Sequence, residues 1–328
     1  MKQKVTLVTI LQSIANKHQK IKHKHEVFIA NNIQTSRISF APIDYIVLFY
    51  VLITTGLLFV FRDRLQDELP HILFRFGVVA VVFIMQWSYN RFPGSITAFL
   101  RFAYPLAIIT FFYSETEYFN NLFFNNLDPV ISGLDQEIFG FQPSIEFSQL
   151  IPYKWFNELM YMGYFAYYCI TFLVAFNVFL FRTEVFQKVS FVIISAFIMY
   201  YIIFIIFPVV GPQFYFPYPE NHVPAYGFFG NLVKLIQATA ERPTAAFPSA
   251  HVGLGVILLY FSVVYLPRFA PVMIFFFVIL CFATVYIKAH YLVDVLAGLV
   301  TGPLIGYLSS RLYTALASLS GPQDSHSD

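Results

Sequence analysis

The chain has 328 residues, of which 58% are hydrophobic, 20% aromatic and only 12% charged, and its formal net charge is +2. Soluble domains carry roughly a quarter charged residues, so this composition sets aside a soluble globular fold and places the chain in the membrane class. So small a net charge argues against nucleic acid as a partner.

Residues 1–43 form a basic segment in which Lys2, Lys4, Lys17, Lys20, Lys22, Lys24 and Arg37 precede the first apolar run. No apolar core with a small-residue cleavage site follows, so no cleavable signal peptide is expected and the first span serves as the insertion signal. His18, His23 and His25 lie among these lysines and read as part of a segment drawn to anionic cytoplasmic lipids rather than as a metal tract.

Runs of bilayer length, about 17–25 residues, occur near 44–61, 71–90, 97–113, 156–181, 189–207, 249–266, 270–287 and 290–313. They predict an all-α integral membrane protein, a multi-pass bundle of eight spans with six as the lower bound. The division expected is N-terminal transmembrane helices over 44–113, an interfacial extracytoplasmic segment over 114–155, a catalytic membrane domain over 156–313 and a fraying polar tail over 314–328. Within the interfacial segment Asp128 and Asp135 are two helical turns apart. With no third ligand in view they read as a solvated face, and no metal is expected. Residues 208–248 are rich in Pro, Gly and Tyr, and a connection of that length is usually functional. Cys169 and Cys281 sit in apolar runs and read as small hydrophobic fillers.

The positive-inside rule orients the bundle. With the N-terminus in the cytoplasm, the inner connections collect the N-terminal bases with Arg91, Arg182, Lys188, Arg268 and Arg311. The outer face receives only Arg62, Arg64, Lys154, Lys234, Arg242 and Lys288. Both termini are then cytoplasmic.

Ionisable groups at the ends of spans are costly and therefore functional candidates. His251 closes the string Phe247-Pro248-Ser249-Ala250-His251, and His290 and Asp294 open the last run. Two crossings separate the histidines, so both return to one face, the extracytoplasmic one. At i,i+4 on a helix His290 and Asp294 share a face. The carboxylate then orients the imidazole as a nucleophile toward phosphorus, with His251 as general acid and base. Pro248 suits a first helical turn, whose free N–H groups form an anion site together with the Ser249 hydroxyl.

Phe247-Pro248-Ser249-Ala250-His251 and His290-Tyr291-Leu292-Val293-Asp294 resemble the second and third motifs of the type 2 phosphatidic acid phosphatase (PAP2) superfamily, over roughly residues 155–313. The resemblance implies a helical membrane fold, a phosphohistidine on His290, Asp294 as its orienter, His251 as acid/base and no metal or other cofactor. The first motif is altered: Arg242-Pro243 is present, but residue 235 is leucine and Lys234 stands one position off. Ala283-Thr284 replaces the expected Ser-Arg pair. With Gly211-Pro212 upstream, the pattern is similar to the branch containing inositol phosphorylceramide synthases, which implies transfer of a headgroup between lipids.

A cation must offset the charge of the transferring group; Arg242 and Lys288 are the candidates. Gln213, Asn157 and Glu158 are expected in the headgroup pocket. The partners expected are membrane lipids, a phosphorylated donor with a lipid or polyol acceptor. The alternatives are simple hydrolysis of phosphatidic acid or an isoprenyl diphosphate, and a transporter with a His/Asp relay. The relay predicts mid-helix acids or helices broken in matching halves. An inactive scaffold predicts loss of a histidine or the aspartate.

Overall fold

The structure, a computed structural model, describes residues 2–32 and 40–319. All regular structure among these residues is helical. A basic helix α1 (Lys2–Asn32) is followed by the long apolar helices α2 (Pro42–Val60) and α3 (Glu68–Arg91). Next come α4 (Ser95–Ala103) and α5 (Pro105–Tyr118), and two short helices, α6 (Asp128–Phe139) and α7 (Pro143–Leu150). The long helices α8 (Lys154–Phe181) and α9 (Thr183–Ile206) precede the short α10 (Pro212–Tyr215) and α11 (Phe228–Thr239). The chain closes with α12 (Ala250–Tyr265), α13 (Ala270–Tyr286) and α14 (Leu292–Leu319).

Among the described residues, six segments are long and apolar enough to cross a membrane: α2, α3, α4 with α5, α8, α9 and α14. The other two expected spans, α12 and α13, are shorter apolar helices of 16 and 17 residues. Several apolar helices of this kind are compatible with a multi-pass membrane protein. The run expected over 97–113 is longer and broken: Pro105 lacks the N–H that would continue the helix and instead starts a new first turn. α14 extends beyond the expected boundary at 313 to Leu319; Ser320 onward lies outside the described residues.

α9 is the hub. It is apolar on all sides, which suits a helix with no lipid face, and it packs against α1, α2, α4, α5, α8, α12 and α14. The N-terminal helices carry buried charge. Arg101 pairs with Asp44, which also accepts from the Tyr104 hydroxyl at 3.0 Å. Arg75 donates to Glu115 at 2.7 Å, with the His71 ring 3.0 Å from the same oxygen. Such pairs satisfy charge that would otherwise be expensive in a low dielectric. Cys169 is exposed on α8 rather than filling the core, while Cys281 is half-buried. His25 is buried with its ring edge-on to Phe179, 4.7 Å between centroids, a packing role within the basic segment.

Candidate active site

The two motifs meet because two helix starts are pinned together. Ser249 caps α12, its hydroxyl accepting from the Val252 N–H at 3.3 Å, while its own N–H donates to the Asp294 carbonyl at 3.0 Å. α12 and α14 then cross in backbone contact. A Cβ added at Gly298 would stand 2.6 Å from the Ser249 carbonyl oxygen, and one at Gly302 2.6 Å from that of Gly253. Small residues permit such approach. It sets His251 Nδ1 3.0 Å from His290 Nε2.

His290 does not lie on a helix with Asp294, because α14 begins at Leu292. The histidine sits in the preceding turn, where its N–H donates to the Thr284 carbonyl at 3.0 Å. Its Nδ1 lies 2.8 Å from the Ala246 carbonyl oxygen and 3.5 Å from Asp294 Oδ2. A carbonyl only accepts, so Nδ1 carries the proton and the lone pair is on Nε2. His251 Nδ1 donates to that lone pair. The shorter contact of Nδ1 is thus to a main-chain carbonyl, while Asp294, 3.5 Å away, accepts from the Tyr291 N–H at 2.8 Å. Burial pushes the His290 pKa down to about 4, against the raising effects of its Ala246 bond and the Glu241 charge.

The remaining candidates divide. Arg242 and Gln213 line the same cavity as the histidines. Arg242 is exposed at 46% and lies 3.8 Å from Glu117, so its guanidinium keeps one side open. The others do not line that cavity. The Ser249 hydroxyl is consumed by the helix cap and fully buried. Lys288 turns away to donate to the carbonyls of Ser144 at 2.7 Å and Ile145 at 3.2 Å, clamping the start of α7. Burial lowers its pKa to about 8. Glu158 caps α11, accepting from the N–H groups of Gly227, Phe229 and Gly230 at 2.9–3.0 Å. Asn157 donates to the Pro224 carbonyl at 3.0 Å. Helix ends need such partners, and these two side chains serve the fold of the 208–248 connection.

Asp128 and Asp135 are not a solvated face. Both are fully buried. Asp128 accepts from the N–H groups of Val210 at 2.7 Å and Gly211 at 2.9 Å and from the Tyr291 hydroxyl at 2.9 Å. Asp135 accepts from Leu292 and Val293 at 3.0 and 2.9 Å, capping α14 beside His290. Burial pushes both carboxyls up and these donors pull them back. Their spacing of two helical turns gives no sign of these partners, which lie far along the chain.

Sequence reasoning also missed Glu241. It lines the cavity with Tyr113, Tyr164, Tyr167 and Tyr168. The cavity has a volume of about 310 Å³ and reaches from the histidines to Leu106, Ile109, Phe172 and Phe197 on α5, α8 and α9. Its chemistry is two-ended: a polar head at the histidine pair and an apolar body among membrane helices. The His251 ring rests on Tyr164 and Tyr167, with centroids 4.9 and 4.6 Å apart.

A helical bundle with this pair at its centre fits the comparison with known families. The PAP2 superfamily model matches residues 131–308, and the chain belongs to that superfamily. A PA-phosphatase related-family protein of Dictyostelium discoideum is 30% identical over 120 residues, covering 34% of this chain and 22% of the relative. The matched stretch thus spans about a fifth of that relative's length. No solved structure matches.

Proposed function

We propose that the chain is a membrane lipid phosphatase or phosphotransferase that works through a phosphohistidine on His290. The observation that carries this reading is the 3.0 Å contact of His251 Nδ1 with His290 Nε2 at the head of a cavity with an apolar body. Membership of the PAP2 superfamily supports a phosphatase-type enzyme.

The chemistry follows from the tautomers. The Ala246 carbonyl holds the Nδ1 proton and leaves Nε2 to attack phosphorus. A phosphoryl group entering between the rings displaces the His251 hydrogen bond. His251, neutral in the resting pair, takes up a second proton from the incoming phosphate ester's own O–H and gives its Nδ1 proton to the departing alkoxide as the P–O bond breaks and the P–N bond forms. In the second step His251 takes a proton from water or an alcohol, whose oxygen attacks phosphorus and releases His290. Such proton transfer contributes about 10²–10⁴-fold. Arg242 at the rim offsets the phosphoryl charge. The hydrocarbon part of the substrate lies along the apolar wall. The charge asymmetry of the connections supports an extracytoplasmic site with both termini in the cytoplasm.

The test is incubation of the detergent-purified chain with phosphate-labelled phosphatidic acid, an isoprenyl diphosphate, and phosphatidylinositol with ceramide or diacylglycerol, with His290→Ala alongside. Free phosphate lost in the variant identifies a phosphatase. Label arriving on a second lipid identifies a transferase, with headgroup transfer of the inositol phosphorylceramide synthase type as one form. Equal behaviour of the two proteins, with no label on His290, sinks the proposal.

A further inference from the structure

The cavity that holds the histidine pair is also lined by a carboxylate, Glu241. Glu241 Oε1 accepts from the Tyr164 hydroxyl at 2.7 Å and Oε2 from the Gln213 amide at 2.6 Å. A carboxylate offers about four lone-pair sites, so about two remain. These can only accept hydrogen bonds, and their charge repels a phosphoryl oxygen. Whatever binds beside the histidines at this wall must bring donors.

Gln213 narrows the class. Its Oε1 accepts from Gln237 at 2.8 Å, which fixes the amide's orientation, and one Nε2–H goes to Glu241. The second Nε2–H is left to donate. An acceptor-only carboxylate beside a spare amide donor matches a hydroxyl, which both gives and takes a hydrogen bond. An ammonium would leave the amide donor unused. Glu241 also has other cationic neighbours: Arg242 is next in sequence, and Lys234 lies within Coulomb reach.

We infer that Glu241 and Gln213 form an acceptor subsite for an alcohol hydroxyl, which takes the phosphoryl group from His290. This rests on the phosphohistidine reading above and adds to it the acceptor's chemistry and the residues that select it over water. In the step proposed, the hydroxyl swings its proton from Glu241 to His251, which takes it as the alcohol O–P bond forms and the His290 N–P bond breaks. Glu241 and Gln213 position the alcohol. A soluble polyol and a lipid alcohol both carry such a hydroxyl.

The experiment is a chase on the full chain in detergent. His290 is loaded from whichever labelled donor phosphorylates it, then chased with buffer, glycerol, or diacylglycerol in micelles. The expected result is that one alcohol speeds loss of label from the wild-type protein and becomes labelled itself. Glycerol alone doing so marks a soluble polyol, diacylglycerol a lipid alcohol. In Glu241→Gln the alcohol concentration for half-maximal acceleration rises about tenfold or more, as expected for one hydrogen bond to a charged group, and in Gln213→Leu it rises about fivefold, as for a neutral one. Loading with label also reports that each variant retains a folded site, and the second variant serves if the first does not load. An unchanged half-maximal concentration in a variant that loads overturns the inference. So does a wild-type protein whose label leaves at one rate in all three chases, which leaves the phosphohistidine reading intact. If no donor labels His290, both fall together.

Discussion

Asp294→Asn separates two ways of orienting His290. If the carboxylate alone fixed the tautomer, the change would remove the arrangement that exposes Nε2. In serine-protease triads, where an aspartate has that task, the same substitution costs about 10⁴-fold. Here the Ala246 carbonyl, at 2.8 Å from Nδ1, holds the proton, and no side-chain substitution removes it. What Asp294 adds, when ionised, is charge 3.5 Å from the ring. Two unit charges about 4 Å apart interact by about 4 kcal/mol at an effective dielectric of about 20. A ring that gains about half a charge in the transition state draws about 2 kcal/mol, or about thirtyfold in rate. The asparagine oxygen can still accept from the Tyr291 N–H, so the turn is kept. Rapid-quench trapping of phosphohistidine under single turnover reads the chemical step directly. A loss near 10⁴-fold would show that the carboxylate, and not the main chain, sets the tautomer.

The two cations are expected to behave differently. Arg242→Ala should raise the orthovanadate concentration for half inhibition about tenfold, the worth of one charge-assisted contact. Lys288→Met should lower the thermal midpoint in detergent by freeing two carbonyls of α7, without a matching rise in that concentration; equal effects would return Lys288 to the phosphate. Glu158→Ala strips three N–H groups at the start of α11 of their acceptor, and should cost on the order of 2 kcal/mol of stability. An unchanged midpoint would refute that role. Burial that lowers the His290 pKa to about 4 keeps the ring neutral well into acid. The nucleophile is then lost only as pH falls through about 4, and phosphohistidine formation should show its acid limb there. The same shift contributes stability that is full above about pH 6.5 and drains away as pH drops toward 4. An acid limb near 6.5 would mean a solvated ring.

What could be read from sequence was whatever depends on residue type and on counting crossings. His251 and His290 were expected on one face because two apolar runs separate them, and the structure brings them into contact. The side on which a side chain points was not readable. Lys288 stands two residues before His290, yet its turn, with φ of +68°, directs it to α7. Glu158 and Asp135 looked like pocket and surface groups because a carboxylate that caps a helix far along the chain leaves no local pattern. The helical i,i+4 argument for His290 and Asp294 failed for a different reason. Boundaries are the least certain part of such a reading, and here the helix starts two residues after the histidine.

The N-terminal helices change how the site should be understood. α2–α5 lie outside the residues matched by the PAP2 model. Even so, Leu106, Ile109, Thr110 and Tyr113 of α5 form one wall of the cavity. The same helix holds the segment that carries Glu241 and Arg242: the Arg242 N–H donates to the Tyr113 hydroxyl at 3.2 Å, and beyond the helix end Asn120 donates to the Pro243 carbonyl at 2.9 Å. α5 is in turn braced by the buried Glu115–Arg75 pair. Removing one partner of such a pair typically costs about 3–5 kcal/mol, because the other charge is left buried. The histidine pair is thus built within the matched region, while the shape of the space beside it, and the placing of Glu241 within it, depend on helices from outside. A substitution on α5 can therefore reshape the cavity while the histidine pair stays in place.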